Sequence, residues 1–257
     1  MNTDMKTVLM ESADGVAVIT IDRPAARNAV DLETTIELAA AIDEFESRPE
    51  LLVAILTGAG GTFCSGMDLK AFARGEKPAL PGRGFAGITE RLPAKPLITA
   101  VEGWAIAGGC ELALAADLVV AARDATFGLP EVKRGLIAVG GGLLRVAKAL
   151  PYHVAMELVL TGDPLPATTA HAYGLVNVLT EPGGALEGAR ALAARIAANA
   201  PFAVRASKQI LSSSVRYTDE EAFAEQRKVW AAVTASADAL EGARAFAEKR
   251  APVWRDR

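Results

Sequence analysis

Residues 101–117 read VEGWAIAGGCELALAAD and lie between two short apolar runs, 96–101 and 118–121. The flanking runs read as strands and residues 108–116 as a helix, so the three together form a βαβ unit. A glycine pair, Gly108-Gly109, opens the helix, and a lone carboxylate, Glu111, falls in its first turn. That carboxylate stands out because the rest of the helix is Leu, Ala and Cys, on a stretch expected to be buried.

The same alternation appears upstream. Residues 15–22, GVAVITID, form a β-branched strand stopped by Arg23-Pro24, after which a loop carries Arg27 and Asn28. From Asp31 onward Leu32, Ile36, Ala39, Ala40 and Phe45 recur at helical spacing with glutamates between them, which predicts an amphipathic helix ending near Pro49. Residues 51–57 are a continuous apolar run closed by Gly58, Gly60 and Gly61, as in a buried strand of a parallel sheet. Repeated βαβ units imply a layered α/β core. Beyond residue 140 the chain turns to alanine-rich helical segments punctuated by prolines, with one further strand at 176–180. Residues 74–93 are the least patterned stretch.

Composition narrows the function. With 257 residues, 51% hydrophobic and 23% charged, the chain can bury a large core. Its most apolar region, 96–122, is interrupted by Glu102, Glu111 and Asp117 and is a poor bilayer span; residues 1–12 carry Asp4 and Glu11 and lack a secretory apolar run. No membrane partner and a cytoplasmic location are expected. Two cysteines, Cys64 and Cys110, and two histidines, His153 and His171, offer neither a disulfide framework nor a zinc spacing, so no metal is expected. A net charge of −4 and a pI near 5.4 argue against a nucleic-acid partner.

Several motifs fail on inspection. Gly58 to Phe63 lacks the third glycine of a dinucleotide fingerprint and the Gly-Lys of a P-loop, and Ser65 lacks the GxSxG frame. More telling are residues 63–70, FCSGMDLK, where small residues turn the chain and Asp68 can cap a short helix, and residues 107–111, AGGCE. Both leave backbone N–H groups free, and two convergent donors would make an oxyanion hole. Close helix packing is the alternative account of Gly108-Gly109, and dipole capping that of Glu111. Glu131 follows Phe127-Gly128-Leu129-Pro130, whose proline directs it; alone it could be a solvated loop residue. Two carboxylates brought together would split into one acid and one base.

Taken in order, Arg23-Pro24 with Arg27-Asn28-Ala29, FCSGMDLK, VEGWAIAGGCELALAAD, FGLPEVKRGLIAVGGG (127–142) and the ending EGARAFAEKRAPVW (241–254) resemble the crotonase, or enoyl-CoA hydratase/isomerase, superfamily. The resemblance implies a spiral of ββα turns over residues 1–195 and a helical oligomerisation region over 196–257, assembled as a homotrimer or homohexamer. It implies an acyl-CoA thioester substrate and no further cofactor. By motif position the amides of Met67 and Gly108 would hold the thioester oxygen, and Glu111 and Glu131 would be the two acid/base glutamates of a 2-enoyl-CoA hydratase. Coenzyme A would lie along Arg27 and Met67, Asp68, Leu69 and Lys70, with Phe246 and Lys249 reaching a neighbouring subunit's coenzyme A. An enoyl-CoA isomerase, other acyl-CoA chemistry, and a non-catalytic CoA- or RNA-binding protein are the alternatives. Ala138-Val139 replace the Pro-Gly common in hydratases of the family, and Trp104 is expected either to narrow the acyl pocket or to pack in the core. Residues 111–117, the stretch containing Leu129-Pro130-Glu131 and the ending lean towards carnitinyl-CoA dehydratase-like members.

Overall fold

The computed structural model describes residues 6–256. Part of the leading segment 1–12 and the last residue of the segment 196–257 lie outside them. In chain order the strands are β1 (Val8–Ala13), β2 (Val16–Ile21), β3 (Val53–Gly58), β4 (Ala79–Leu80), β5 (Gly84–Phe85), β6 (Leu97–Val101), β7 (Trp104–Ile106), β8 (Leu118–Ala122), β9 (Thr126–Gly128), β10 (Leu165–Pro166) and β11 (Val178–Thr180). The helices are α1 (Leu32–Ser47), α2 (Leu69–Ala73), α3 (Gly108–Ala115), α4 (Gly142–Ala149), α5 (Tyr152–Thr161), α6 (Ala167–Ala172), α7 (Ala185–Ala197), α8 (Pro201–Ser214), α9 (Asp219–Thr234) and α10 (Ala237–Glu248).

Six strands form the main sheet in the order β1-β2-β3-β6-β8-β11. Only β1 and β2 pair antiparallel, through a tight turn; every other neighbour is parallel and needs a crossover. Side-chain alternation divides the strands between two cores. Ala17, Ile19, Ile21, Ala54 and Leu56 face the larger one, with Phe45, Phe63 and Phe127. Val16, Val18, Val53 and Ile55 face α7, whose Ala185, Ala189 and Ala193 let that helix lie close to the sheet.

A second, smaller sheet, β10-β9-β7, positions the site. The chain runs from β6 in the main sheet to β7 in the small one, back through α3 to β8, and then to β9, so each turn is a ββα unit of a spiral. β7 and β9 pair in parallel, Trp104 with Thr126, Ala105 with Phe127 and Ile106 with Gly128, and an isolated bridge joins Cys64 to Ala105.

The helix foreseen from Asp31 begins there: Asp31 accepts from the Thr34 amide as N-cap, and α1 stops one residue before Arg48 and Pro49. The short strands β7 and β9 and the outer strand β1 were not foreseen. Three-residue strands are too short to show a period, and β1 is mostly exposed with Glu11 and Ser12 in it. Among the described residues no helix is long and apolar enough to cross a membrane, and no three His, Cys, Asp or Glu side chains group as a metal site.

Candidate active site

Two backbone amides are turned outward by neighbouring chain segments. Met67 forms a parallel bridge to Val30 in which the Val30 amide donates to the Gly66 carbonyl (2.8 Å) and the Asp68 amide donates to the Val30 carbonyl (2.8 Å). Bonds on that side go to residues 66 and 68, so the Met67 N–H faces the other way. Gly108 is the first residue of α3, and its N–H is one of those a helix leaves unpaired. The preceding residue, Ala107, holds φ +53° and ψ −127°, a conformation unusual for a residue with a Cβ, while its amide donates to the Gly128 carbonyl at 2.8 Å.

Gly66 lets the two amides approach. Its φ is +91°, and a Cβ there would stand 2.8 Å from the Gly108 nitrogen and 2.9 Å from the Ala107 Cβ. Gly108 and Gly109 also serve close packing: a Cβ on Gly109 would come 2.0 Å from the Cys64 carbonyl oxygen, and one on Gly108 2.5 Å from the Phe85 ring. The packing account and the free-amide account of this glycine pair therefore both hold.

Asp68 caps α2 as foreseen, accepting from the amides of Lys70 (3.0 Å) and Ala71 (3.1 Å). Its other oxygen pairs with Arg23 at 3.1 Å, and Arg23 also pairs with Asp31 at 2.8 Å. Asn28, fully buried, ties the same loop to the next turn: its Nδ2 donates to the carbonyls of Ala59 (2.8 Å) and Thr62 (2.6 Å), and its Oδ1 accepts from the Arg23 amide (2.9 Å). The sequence marks Asn28 only as part of a motif; its work is to lock the segment that presents Met67.

Glu111 and Glu131 line one cavity of about 530 Å³, together with Met67, Leu69, Gly108, Phe85 and the segment of Leu136, Ile137 and Val139. Glu111 is 4% exposed. Its Oε1 accepts from the Gly142 amide at 2.9 Å, and the Gly140 backbone also favours its ionised form. Burial pushes its carboxyl above the usual carboxylate range and the charge of Glu131 adds to this, while the two glycine amides and Arg145 oppose it. Glu131 sits in the 3-10 turn Pro130–Arg134, and its Oε2 is buried without a hydrogen-bond partner. Burial raises its carboxyl too, against its own amide and Arg134. A cleft that raises both carboxyls favours one proton over the pair. Cys64 and Cys110 are buried beside this cleft, and burial pushes both thiols up to about 12, which leaves them inert.

Of the other residues expected at the site, Leu69 lines the cavity and lies 49% exposed. Arg27 and Lys70 are exposed on segments that border it: the Arg27 carbonyl accepts from the amide of Ser65, a lining residue, and Lys70 follows Leu69. Phe246, 87% exposed, and Lys249 lie at the end of α10 and do not line the cavity of this chain. Trp104 is a correction to both readings offered for it. It is 54% exposed at the start of β7: alternation gives the core to Ala105, and of the two residues on the opposite face Ile106, not Trp104, lines the cavity. Val139 is 77% exposed and lines the cavity.

The glycine run 140–142 is a part of the site for which the sequence reading supplied no role. A Cβ on Gly140 would come 2.8 Å from Glu111 Oε2, and one on Gly142 would come 2.9 Å from Glu111 Cγ. Three consecutive glycines before a helix were the available signal; only the fold shows that a carboxylate fills the space they leave.

A ββα spiral whose cleft sets two raised carboxyls near a pair of unpaired amides suits proton transfer next to a developing oxyanion. The chain belongs to the enoyl-CoA hydratase/isomerase family, whose model matches residues 11–257. A Salmonella typhi protein named carnitinyl-CoA dehydratase is 46% identical over 248 residues, covering 93% of this chain and 94% of that protein. The crystal structure of an enoyl-CoA hydratase from Mycobacterium tuberculosis H37Rv is 58% identical with a TM-score of 0.97, over 98% of this chain and 100% of that one. That of a carnitinyl-CoA hydratase from Mycobacterium avium is 45% identical with a TM-score of 0.79, over 98% of this chain and 100% of that one.

Proposed function

We propose that this protein reversibly adds water across the double bond of a 2-enoyl-CoA thioester, with Glu111 and Glu131 as its acid/base pair and the amides of Met67 and Gly108 as its oxyanion hole. Family membership and the hydratase and dehydratase relatives support the reaction class. The observation that supports the mechanism is the shared cavity, lined by Met67, Gly108, Glu111 and Glu131 together.

In this mechanism attack of water at C3 moves electron density onto the thioester oxygen, where two fixed N–H donors stabilise the enolate by a few kcal/mol each, on the order of a 10²-fold rate effect per donor. Glu111 takes the proton from the attacking water; the amides of Gly142 and Gly140 favour its ionised form. Glu131, whose Oε2 has no competing partner, delivers a proton to C2. Dehydration of a 3-hydroxyacyl-CoA uses the same groups with roles exchanged. Coenzyme A lies along Arg27 and Met67, Asp68, Leu69 and Lys70, and Phe246 and Lys249 serve a neighbouring subunit's ligand.

A homotrimer or homohexamer in the cytoplasm is the working form in this reading. Large apolar side chains left exposed on the last three helices support it, among them Leu211 (77%), Phe223 (59%) and Trp230 (63%). Residues 196–257 then act as the oligomerisation region and the preceding residues as the catalytic core. The test is loss of the conjugated enoyl absorbance of crotonyl-CoA and longer 2-enoyl-CoA thioesters, with mass spectrometry to detect the added water. Isomerised product of unchanged mass, or no turnover on any thioester of the panel, would overturn the reading.

A further inference from the structure

Arg145 belongs to none of the groups assigned so far, yet it is the cation that sets the shape of the glycine turn around Glu111. It stands on α4, and its guanidinium is inserted where Gly141 leaves room: a Cβ on Gly141 would collide with its Nη1. Nη1 donates to the Gly140 carbonyl at 3.2 Å and Nη2 to the Thr89 carbonyl at 2.5 Å. Gly142 supplies the amide that bonds Glu111 and Gly140 packs against its other oxygen, so one side of the guanidinium fork holds the turn that holds the carboxylate. Thr89 lies in the segment whose Phe85 covers Gly108, so the other side ties down the cover of the oxyanion donor.

We propose that Arg145 is a positioning residue: it clamps the glycine turn 140–142 to the segment 84–89 and, as a cation beside the site, keeps Glu111 available as a base. This rests on the hydratase reading for its kinetic consequence but not for its structural one. The charged and titratable groups bearing on Glu111 are few. Glu131 opposes its ionisation, Arg145 favours it, Cys110 on the same helix stays a neutral thiol, and Arg134 acts on Glu131. Lys148, the other cation of α4, is exposed. The carboxylate acting on Arg145 is Glu111 itself, and burial lowers the guanidinium from its usual range. Removing this charge leaves burial and Glu131 less opposed, so the Glu111 carboxyl rises further and the base form is reached only at higher pH.

Arg145→Gln and Arg145→Lys separate charge from fork geometry. Two readouts are taken on folded protein, with Tm recorded for each variant: the pH profile of kcat, and a carbon-13 NMR titration of the side-chain carboxyls in ligand-free enzyme, the Glu111 signal identified by its absence in Glu111→Gln. In Arg145→Gln the expected result is a kcat lower on the order of 10²-fold with KM changed only a few-fold, and both the acid limb and the Glu111 titration displaced to higher pH. Arg145→Lys should restore the titration but not the full kcat. A Glu111 titration in Arg145→Gln that coincides with wild type, or a kcat within twofold of it, overturns the proposal. If Arg145→Gln does not fold, Arg145→Lys decides: unchanged kcat overturns the clamp, and a loss in kcat at constant KM supports it. If wild-type protein hydrates no thioester, the hydratase reading fails by itself, and the NMR titration still decides on Arg145.

Discussion

Replacing Gly140 by alanine perturbs the carboxylate of Glu111 without touching its chemistry. The backbone at Gly140 is not in the left-handed region, so the added methyl brings a steric effect and little conformational strain. It would stand 2.8 Å from Glu111 Oε2, about 0.6 Å inside the 3.4 Å at which ordinary contact begins, with Glu111 Cδ at 3.0 Å and Phe85 Cβ at 3.1 Å on the same side. Something must give, and the Glu111 side chain is the movable neighbour, since Phe85 is itself held over Gly108. A displacement of 1 Å in a reacting group can cost on the order of 10²-fold in rate, so about half that distance should cost roughly tenfold, or about 1.4 kcal/mol of barrier. The assay is the initial rate of enoyl absorbance loss across substrate concentrations, with Tm measured in parallel. Because substrate contacts elsewhere are unchanged, kcat should fall and KM stay within a few-fold. Retention of kcat within twofold at unchanged Tm would refute the assignment of Glu111 as the base held by this turn.

Four other outcomes test separate parts of the site. Gly66→Ala places a methyl 2.8 Å from the Gly108 nitrogen at a backbone φ of +91°; it should cost on the order of 10²- to 10³-fold in kcat, as loss of an oxyanion donor does. Both glutamates are raised by burial, so the pH profile of kcat should be a bell: activity falls at low pH as Glu111 gains a proton and at high pH as Glu131 loses one, with the acid limb above the usual carboxylate range. The stability consequence has a definite sign. A carboxyl whose folded-state pKa is raised contributes stability that is lost as pH rises through that value, so Glu111→Gln should abolish turnover yet raise Tm at pH 8 relative to wild type, with the difference closing towards pH 4. Asp68→Ala removes an N-cap and the Arg23 ion pair and should lower stability by about 1–2 kcal/mol in denaturant titration, with kcat reduced because Met67 is adjacent.

Much of this molecule was legible in residue order alone. The strands at 15–22, 51–57, 96–101 and 118–121 and the helix capped by Asp31 declare themselves because their patterns depend only on neighbours along the chain: alternating or continuous apolar runs, a capping carboxylate, a proline that ends pairing. The two glutamates and the two glycine-bearing turns were equally visible, since an acidic residue in an apolar helix stands out whatever it touches. Trp104 shows the limit. Just before α3 it was assigned to the pocket or the core, but the pairing of β7 with β9 gives the core to Ala105 and leaves Trp104 exposed at the strand's start, with Ile106 rather than Trp104 at the cavity.

What only the tertiary structure decided is how separate segments share space. Whether Glu111 and Glu131 meet depends on the spiral that brings α3 beside the turn after β9. Whether the amides of Met67 and Gly108 approach depends on the missing Cβ of Gly66, forty-odd residues from its neighbour. The glycines at 140–142 and the guanidinium of Arg145 could not be read from the chain, because their meaning is the volume left for a carboxylate more than 25 residues away. Local pattern is written in sequence because it arises from bonded neighbours; the ionisation and placement of a buried acid arise from atoms that only folding brings together.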